Sequence, residues 1–141
     1  MPVRNAEAQW EGSLQEGSGT MRLGSGAFEG QFSFQSRMEN GAGTNPEELI
    51  GAAHAGCFTM ALSLILGEAK LTAEHMETKA DVTLEKQSDG FAITAVHLTL
   101  KAKVPGADDA KFQELANKAK AGCPVSKLLS AKITLDAALV S

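Results

Sequence analysis

NPEELIGAAHAGCFTMALSLIL, residues 45–66, places one of the chain's two cysteines, Cys57, inside a helix-like run that is apolar almost all the way round. Asn45 suits an N-cap, where its side chain accepts from a free backbone N–H. Pro46 suits the first helical position, where its missing N–H costs nothing. Glu47 and Glu48 sit at the positive end of the helix dipole. These signals predict a helix from Pro46 to about Leu66, with Gly67 ending it. Its near-continuous apolar surface predicts burial on most sides. A chain of 141 residues has little core to surround such a helix, so a second subunit is expected to supply part of the wall.

Upstream, AEAQWEGSL (6–14), GTMRL (19–23) and GQFSFQSRM (30–38) are short, partly alternating runs separated by Gly-rich breaks, the pattern of an antiparallel meander. Downstream, METKADVTLEKQ (76–87) and FAITAVHLTLKAKV (91–104) alternate on either side of Ser88-Asp89-Gly90, a hairpin signal. ADDAKFQELANKAKAG (107–122) reads as an amphipathic helix with Asp108 and Asp109 in its first turn and Gly122 as its stop. CPVSKLL (123–129) reads as a short second helix, and AKITLDAALV (131–140) as a final strand. Strands cluster instead of alternating singly with helices, so the expected class is α+β, with antiparallel sheets around a long buried helix. No Pro/Ser-rich or low-complexity segment divides the chain, so residues 1–141 are expected to form a single domain.

Composition narrows the function classes. Thirteen basic residues against seventeen acidic ones give a net charge of −4, with both signs scattered. There is no basic patch for nucleic acid or an anionic membrane surface. Leu49–Leu66 approaches membrane length, but Gly51, His54, Gly56, Thr59 and Ser63 interrupt it, and membrane insertion is not expected. MPVRNAEAQWEGSLQEG (1–17) lacks the basic and apolar regions of a signal peptide, so a reducing cytoplasm is expected and a permanent structural disulfide is disfavoured.

The two cysteines form no CxxC motif. Cys123 precedes Pro124 at what reads as a helix N-terminus, where backbone N–H groups favour a thiolate. Cys57, mid-helix among apolar residues, should by itself have a raised pKa and behave as a small core residue. His54, one turn earlier, either activates Cys57 or is an ordinary packed histidine. A metal site of His54, Cys57 and Cys123 matches no standard zinc spacing. Arg37, alternating out of an apolar run in FSFQSRMENG (32–41), reads unaided as a surface charge. Glu47 has an evident structural role at the helix start.

Taken together, QWEG (9–12), TNPEELIGAAHAGCFTMALSL (44–64), GFAIT (90–94), KAGCPVSKLL (120–129) and ITLDAAL (133–139) closely resemble the osmotically inducible protein C and organic hydroperoxide resistance protein family, the first branch more than the second. The resemblance implies an intertwined homodimer with active sites at the interface, and a thiol-dependent peroxidase that reduces organic hydroperoxides to alcohols. Carried over position by position, Cys57 would be the peroxidatic nucleophile, Cys123 the resolving cysteine, Arg37 the active-site cation and Glu47 its carboxylate partner. A peroxide needs a soft nucleophile and something to stabilise the departing alkoxide. A guanidinium held by a carboxylate serves the second need and also keeps the sulfur ionised. Attack would leave a sulfenic acid on Cys57 that condenses with Cys123 to a disulfide.

An external dithiol, small or of lipoyl type, would then reduce that disulfide, with no metal, haem or nucleotide cofactor. Phe58 and Met60, with Phe28, Phe32 or Phe34, are candidate walls favouring alkyl or lipid hydroperoxides. Glu47 and Cys57 are ten positions apart, roughly 15 Å of rise and about 80° short of whole turns, so they do not touch within one helix. A simple arrangement takes Arg37 and Glu47 from the second subunit. The rival readings are a redox sensor of the same fold and an apolar-ligand binder with inert cysteines.

Overall fold

The computed structural model describes every residue, Met1–Ser141, and the chain divides into two compact units, Met1–Leu49 and Ile50–Ser141. The first holds strands β1 (Ala6–Glu11), β2 (Ser18–Leu23) and β3 (Glu29–Phe32), the short helix α1 (Phe34–Met38) and the first turn of α2 (Pro46–Glu68). The second holds the rest of α2, then β4 (His75–Gln87), β5 (Gly90–Lys103), α3 (Asp109–Gly122), α4 (Pro124–Leu128) and β6 (Lys132–Val140). The class is α+β, with two small sheets and one long helix.

In the first unit β1, β2 and β3 form the expected antiparallel meander, with Trp10 opposite Gly19 and Gly19 opposite Phe32. The rings of Trp10 and Phe32 pack across that glycine with centroids 5.4 Å apart, while β1 is exposed along its whole length. The run 30–38 is not one strand. It breaks at Ser33, whose Oγ accepts from the Ser36 N–H at 3.2 Å while Ser36 Oγ accepts from the Ser33 N–H at 2.8 Å. This reciprocal capping box turns residues 34–38 into α1. The alternation of Phe32 and Phe34 masked a capping signal that used Ser where Glu or Gln is the familiar partner. Gly43, at φ +111°, then lets the chain fold back so that the Thr44 N–H donates to the Gln31 carbonyl at 2.7 Å.

In the second unit the hairpin forms as read. Gln87 pairs with Gly90 across a Ser88–Asp89 loop, and Gly90 takes φ +123°. Val96, Leu98, Leu100 and Ala102 alternate inward along β5 and pack with Phe58, Leu62 and Leu66 of α2 and with Phe112, Leu115, Ala116 and Ala119 of α3. α2 lies against β4 at Gly51, where a Cβ would meet Val82 Cγ2 at 3.4 Å, an ordinary contact. The final strand departs from expectation. β6 pairs parallel with β5, Ile133 opposite Val96 and Leu135 opposite Leu98, because α3 and α4 carry the chain back to the starting end of the sheet. This sheet is therefore mixed, not purely antiparallel.

α2 differs from its reading in two respects. It runs through Gly67 to Glu68 and ends in a Schellman motif, with the Leu71 N–H donating to the Leu66 carbonyl at 2.8 Å and the Lys70 N–H to the Gly67 carbonyl at 3.0 Å. Lys70, at φ 62°, takes the left-handed position that glycine usually fills. Nor is the helix buried on most sides. Gly51, His54, Phe58, Leu62 and Leu66 form a buried stripe, but Met60 is 78% and Leu64 67% exposed. Length and apolar composition alone would let α2 cross a membrane. Within this chain its buried stripe instead packs into a sheet-and-helix core.

Candidate active site

The residues singled out in the sequence come together as two pairs, one in each unit. In the first, Arg37 Nε donates to Glu47 Oε1 at 3.0 Å and Arg37 Nη2 donates to Glu47 Oε2 at 2.8 Å, a two-pronged fork. Local folding sets this pair. Ser36 Oγ donates to the Thr44 carbonyl at 2.7 Å, and Asn45 Nδ2 donates to the Ser36 carbonyl at 3.0 Å. Asn45 Oδ1 meanwhile accepts from the Glu48 N–H at 2.8 Å, capping α2 as its sequence predicts. These bonds fasten α1 to the start of α2, with Arg37 in the last turn of one and Glu47 in the first turn of the other.

The Glu47 side chain is only 10% exposed and the Arg37 side chain 39%. A carboxylate so nearly buried needs a charged partner, and the fork supplies it. Arg37 Nη1 has no protein acceptor and keeps its donors available. Both partners belong to one chain, so the pair itself needs no second subunit.

In the second unit, Cys57 is half-buried and Cys123 fully buried, both as free thiols. Cys57 lies on α2, and Cys123 joins α3 to α4 as the N-cap residue of the latter. Their side chains are within hydrogen-bonding reach of each other. Burial pushes the Cys57 thiol above its ordinary pKa and the Cys123 side chain pushes it the same way, while the nearby Val125 backbone partly opposes them. Pro124 at the first helical position of α4 has no N–H to offer, which leaves Val125 as the first donor of that turn.

His54 packs and does not activate. It is fully buried, its Nε2 lies 2.8 Å from Ser126 Oγ, and burial holds its pKa below the ordinary value. It is not among the groups that shift the Cys57 thiol. Ser126 escaped the sequence reading. Its only signal was a hydroxyl three residues after Cys123 in CPVS. Among the expected apolar walls, Phe58 is buried in the core, whereas Met60 is largely exposed and shelters no sulfur within this chain. Phe28, Phe32 and Phe34 belong to the first unit, where Phe32 is engaged with Trp10.

Comparison with known proteins places the chain in a family. The chain is similar to peroxiredoxin OsmC of Escherichia coli, 52% identical over 139 residues that span 98% of this chain and 97% of that one. The organic hydroperoxide resistance protein OhrB of Bacillus subtilis, at 27% identity, superposes with a TM-score of 0.68 over 96% of this chain and 98% of that one. An OsmC-like protein of Vibrio cholerae shares the fold at 18% identity, with a TM-score of 0.77 over 97% and 99% of the two chains. The family model described as OsmC-like protein matches residues 39–138. With most of its length matched by the family model and by a relative of 52% identity, the chain belongs to the OsmC-like protein family.

Proposed function

We propose that the protein is a thiol-dependent peroxidase that reduces organic hydroperoxides to alcohols, with Cys57 as the peroxidatic and Cys123 as the resolving cysteine. The observation that carries this reading is the meeting of the two thiols, remote in sequence, within hydrogen-bonding reach. The Escherichia coli relative is named a peroxiredoxin and the Bacillus subtilis protein an organic hydroperoxide resistance protein, which supports the same chemistry here.

In this reading the Cys57 thiolate attacks the terminal peroxide oxygen. The O–O bond breaks, the alkoxide takes a proton and leaves as the alcohol, and Cys57 becomes a sulfenic acid. Cys123 sulfur then attacks Cys57 sulfur. The hydroxyl departs as water with the Cys123 proton, and a disulfide remains. An external dithiol, small or of lipoyl type, restores both thiols by two exchange steps and is itself oxidised. The protein's own residues need no bound cofactor for any of these steps.

Burial disfavours the thiolate that the first step requires, and Arg37 is the cation assigned to offset this. Glu47 fixes the orientation of its guanidinium, and the donors on Nη1 serve the peroxide oxygens. A homodimer is part of the reading, because Met60 and Leu64 on α2 and the exposed β1 offer surface for a second copy to cover. That cover would give an alkyl or lipid hydroperoxide an apolar lodging. Two free thiols suit a reducing cytoplasm.

The test is hydroperoxide consumption with an organic hydroperoxide and a dithiol. Cys57→Ser abolishes turnover, and Cys123→Ser permits one fast oxidation of Cys57 without an intramolecular disulfide. Undiminished activity in Cys57→Ser would refute the assignment.

A further inference from the structure

His54 is the one buried titratable side chain that the proposed chemistry leaves unused. Its ring is fully enclosed and its Nδ1 has no hydrogen-bond partner. An imidazole with an orphaned nitrogen is a costly way to fill space, since an apolar side chain would do so without stranding a polar atom. What His54 supplies that an apolar residue would not is the 2.8 Å bond from Nε2 to Ser126 Oγ, across 72 positions of sequence. It is the only hydrogen bond between a side chain of α2 and a side chain of α4.

Each end of this bond sits beside one thiol. His54 precedes Cys57 by one turn of α2, and Ser126 follows Cys123 in the first turn of α4. α4 spans only five residues, and its N-cap makes no side-chain capping bond. So short a helix has little stability of its own and takes its position from what it is tied to. Disulfide closure needs Cys123 sulfur in line with Cys57 sulfur, and small displacements of a reacting atom slow such steps steeply.

We propose that the His54–Ser126 hydrogen bond seats α4 so that Cys123 can attack an oxidised Cys57. Both are positioning residues for disulfide closure, and neither takes part in the first reaction of Cys57. The inference rests on the proposed roles of the two cysteines, but its test does not depend on peroxidase activity.

An aromatic disulfide reagent that releases a coloured thiolate separates the two events. The more accessible Cys57 attacks the reagent first, forming a mixed disulfide and releasing one thiolate. Cys123 then attacks the Cys57 sulfur, forming the protein disulfide and releasing the second. In Ser126→Ala the first release keeps its rate, while the second, which is independent of reagent concentration, slows about five- to tenfold, the effect of losing one hydrogen bond. Ser126→Thr keeps the hydroxyl and restores the rate.

An unchanged second phase, an equal slowing of both phases, or a loss that Ser126→Thr does not repair would each overturn the proposal. Thermal melting verifies that the variants fold, and His54→Gln gives the same readout should Ser126→Ala not fold. Failure of the peroxidase reading looks different: wild-type protein would then close its disulfide with the reagent yet consume no hydroperoxide.

Discussion

Arg37 and Glu47 stand ten residues apart and are joined by two directed hydrogen bonds, within a frame of further bonds from Ser33, Ser36, Thr44 and Asn45. Cys57 and Cys123 come from distant parts of the chain and meet because α2 and α3 pack on one face of the same sheet. The first pair is organised by polar geometry at the edge of solvent, the second by apolar burial. The difference is chemical as well as architectural. Packing brings the thiols together but makes ionisation of Cys57 harder, while the polar pair holds a guanidinium in a fixed orientation against a nearly buried carboxylate.

The sharpest way to break this division of labour is to remove the charge and leave the packing. Arg37→Ala is expected to lower kcat/KM for an organic hydroperoxide roughly a hundredfold, the scale of losing one oriented donor to a developing anion. A thiol titration should show the Cys57 pKa raised further. An unchanged titration would remove Arg37 from its proposed role; with the aromatic disulfide reagent the first release should slow as the Cys57 pKa rises, while the second, the attack by Cys123, keeps its rate.

A smaller effect tests the polar frame. Asn45→Ala removes the cap of α2 and the bond to the Ser36 carbonyl, and is expected to destabilise the fold by about 1 kcal/mol in urea unfolding. Activity should fall with it if that frame aims Arg37, whereas a purely structural cap would cost stability alone.

The smallest effect belongs to the packed half. His54 ionises below 6.5 when folded and near 6.5 when unfolded, so in the interval between these values the unfolded chain binds more protons. Its contribution to stability is complete above pH 6.5, declines as the pH falls through that interval and levels off below it. Urea midpoints across this range should slope downward towards acid in wild type and flatten in His54→Gln. A slope that survives the substitution would assign it to another group.

Much of the architecture was legible because its causes are local. Asn45 and Pro46 start α2, Ser88-Asp89-Gly90 closes the hairpin, and Asp108 caps α3 by accepting from the Lys111 N–H at 2.8 Å, each within a few residues. α1 was equally local and still misread, because the Phe32/Phe34 alternation carried more weight than the Ser33/Ser36 capping pair. Lys70 departs in the opposite sense: glycine usually fills a left-handed helix terminus, and here a lysine accepts the strain where the Leu71 and Lys70 N–H groups close the helix end. Of the candidate site, residue identities were readable only through family resemblance, for nothing near Cys57 in sequence distinguishes it from a core cysteine.

By itself the amino-acid order determined where the long helix begins, where the hairpin turns and which faces of β5 and α3 are apolar. These depend on dihedral preference, capping and periodicity, all confined to neighbouring residues. Only the tertiary structure decided that β6 runs parallel beside β5, that α2 leaves Met60 and Leu64 uncovered, and that His54 reaches Ser126 while Cys57 reaches Cys123. Such meetings depend on which surfaces bury together once the chain has closed on itself. Apolar burial is nondirectional, so residue spacing alone does not specify them.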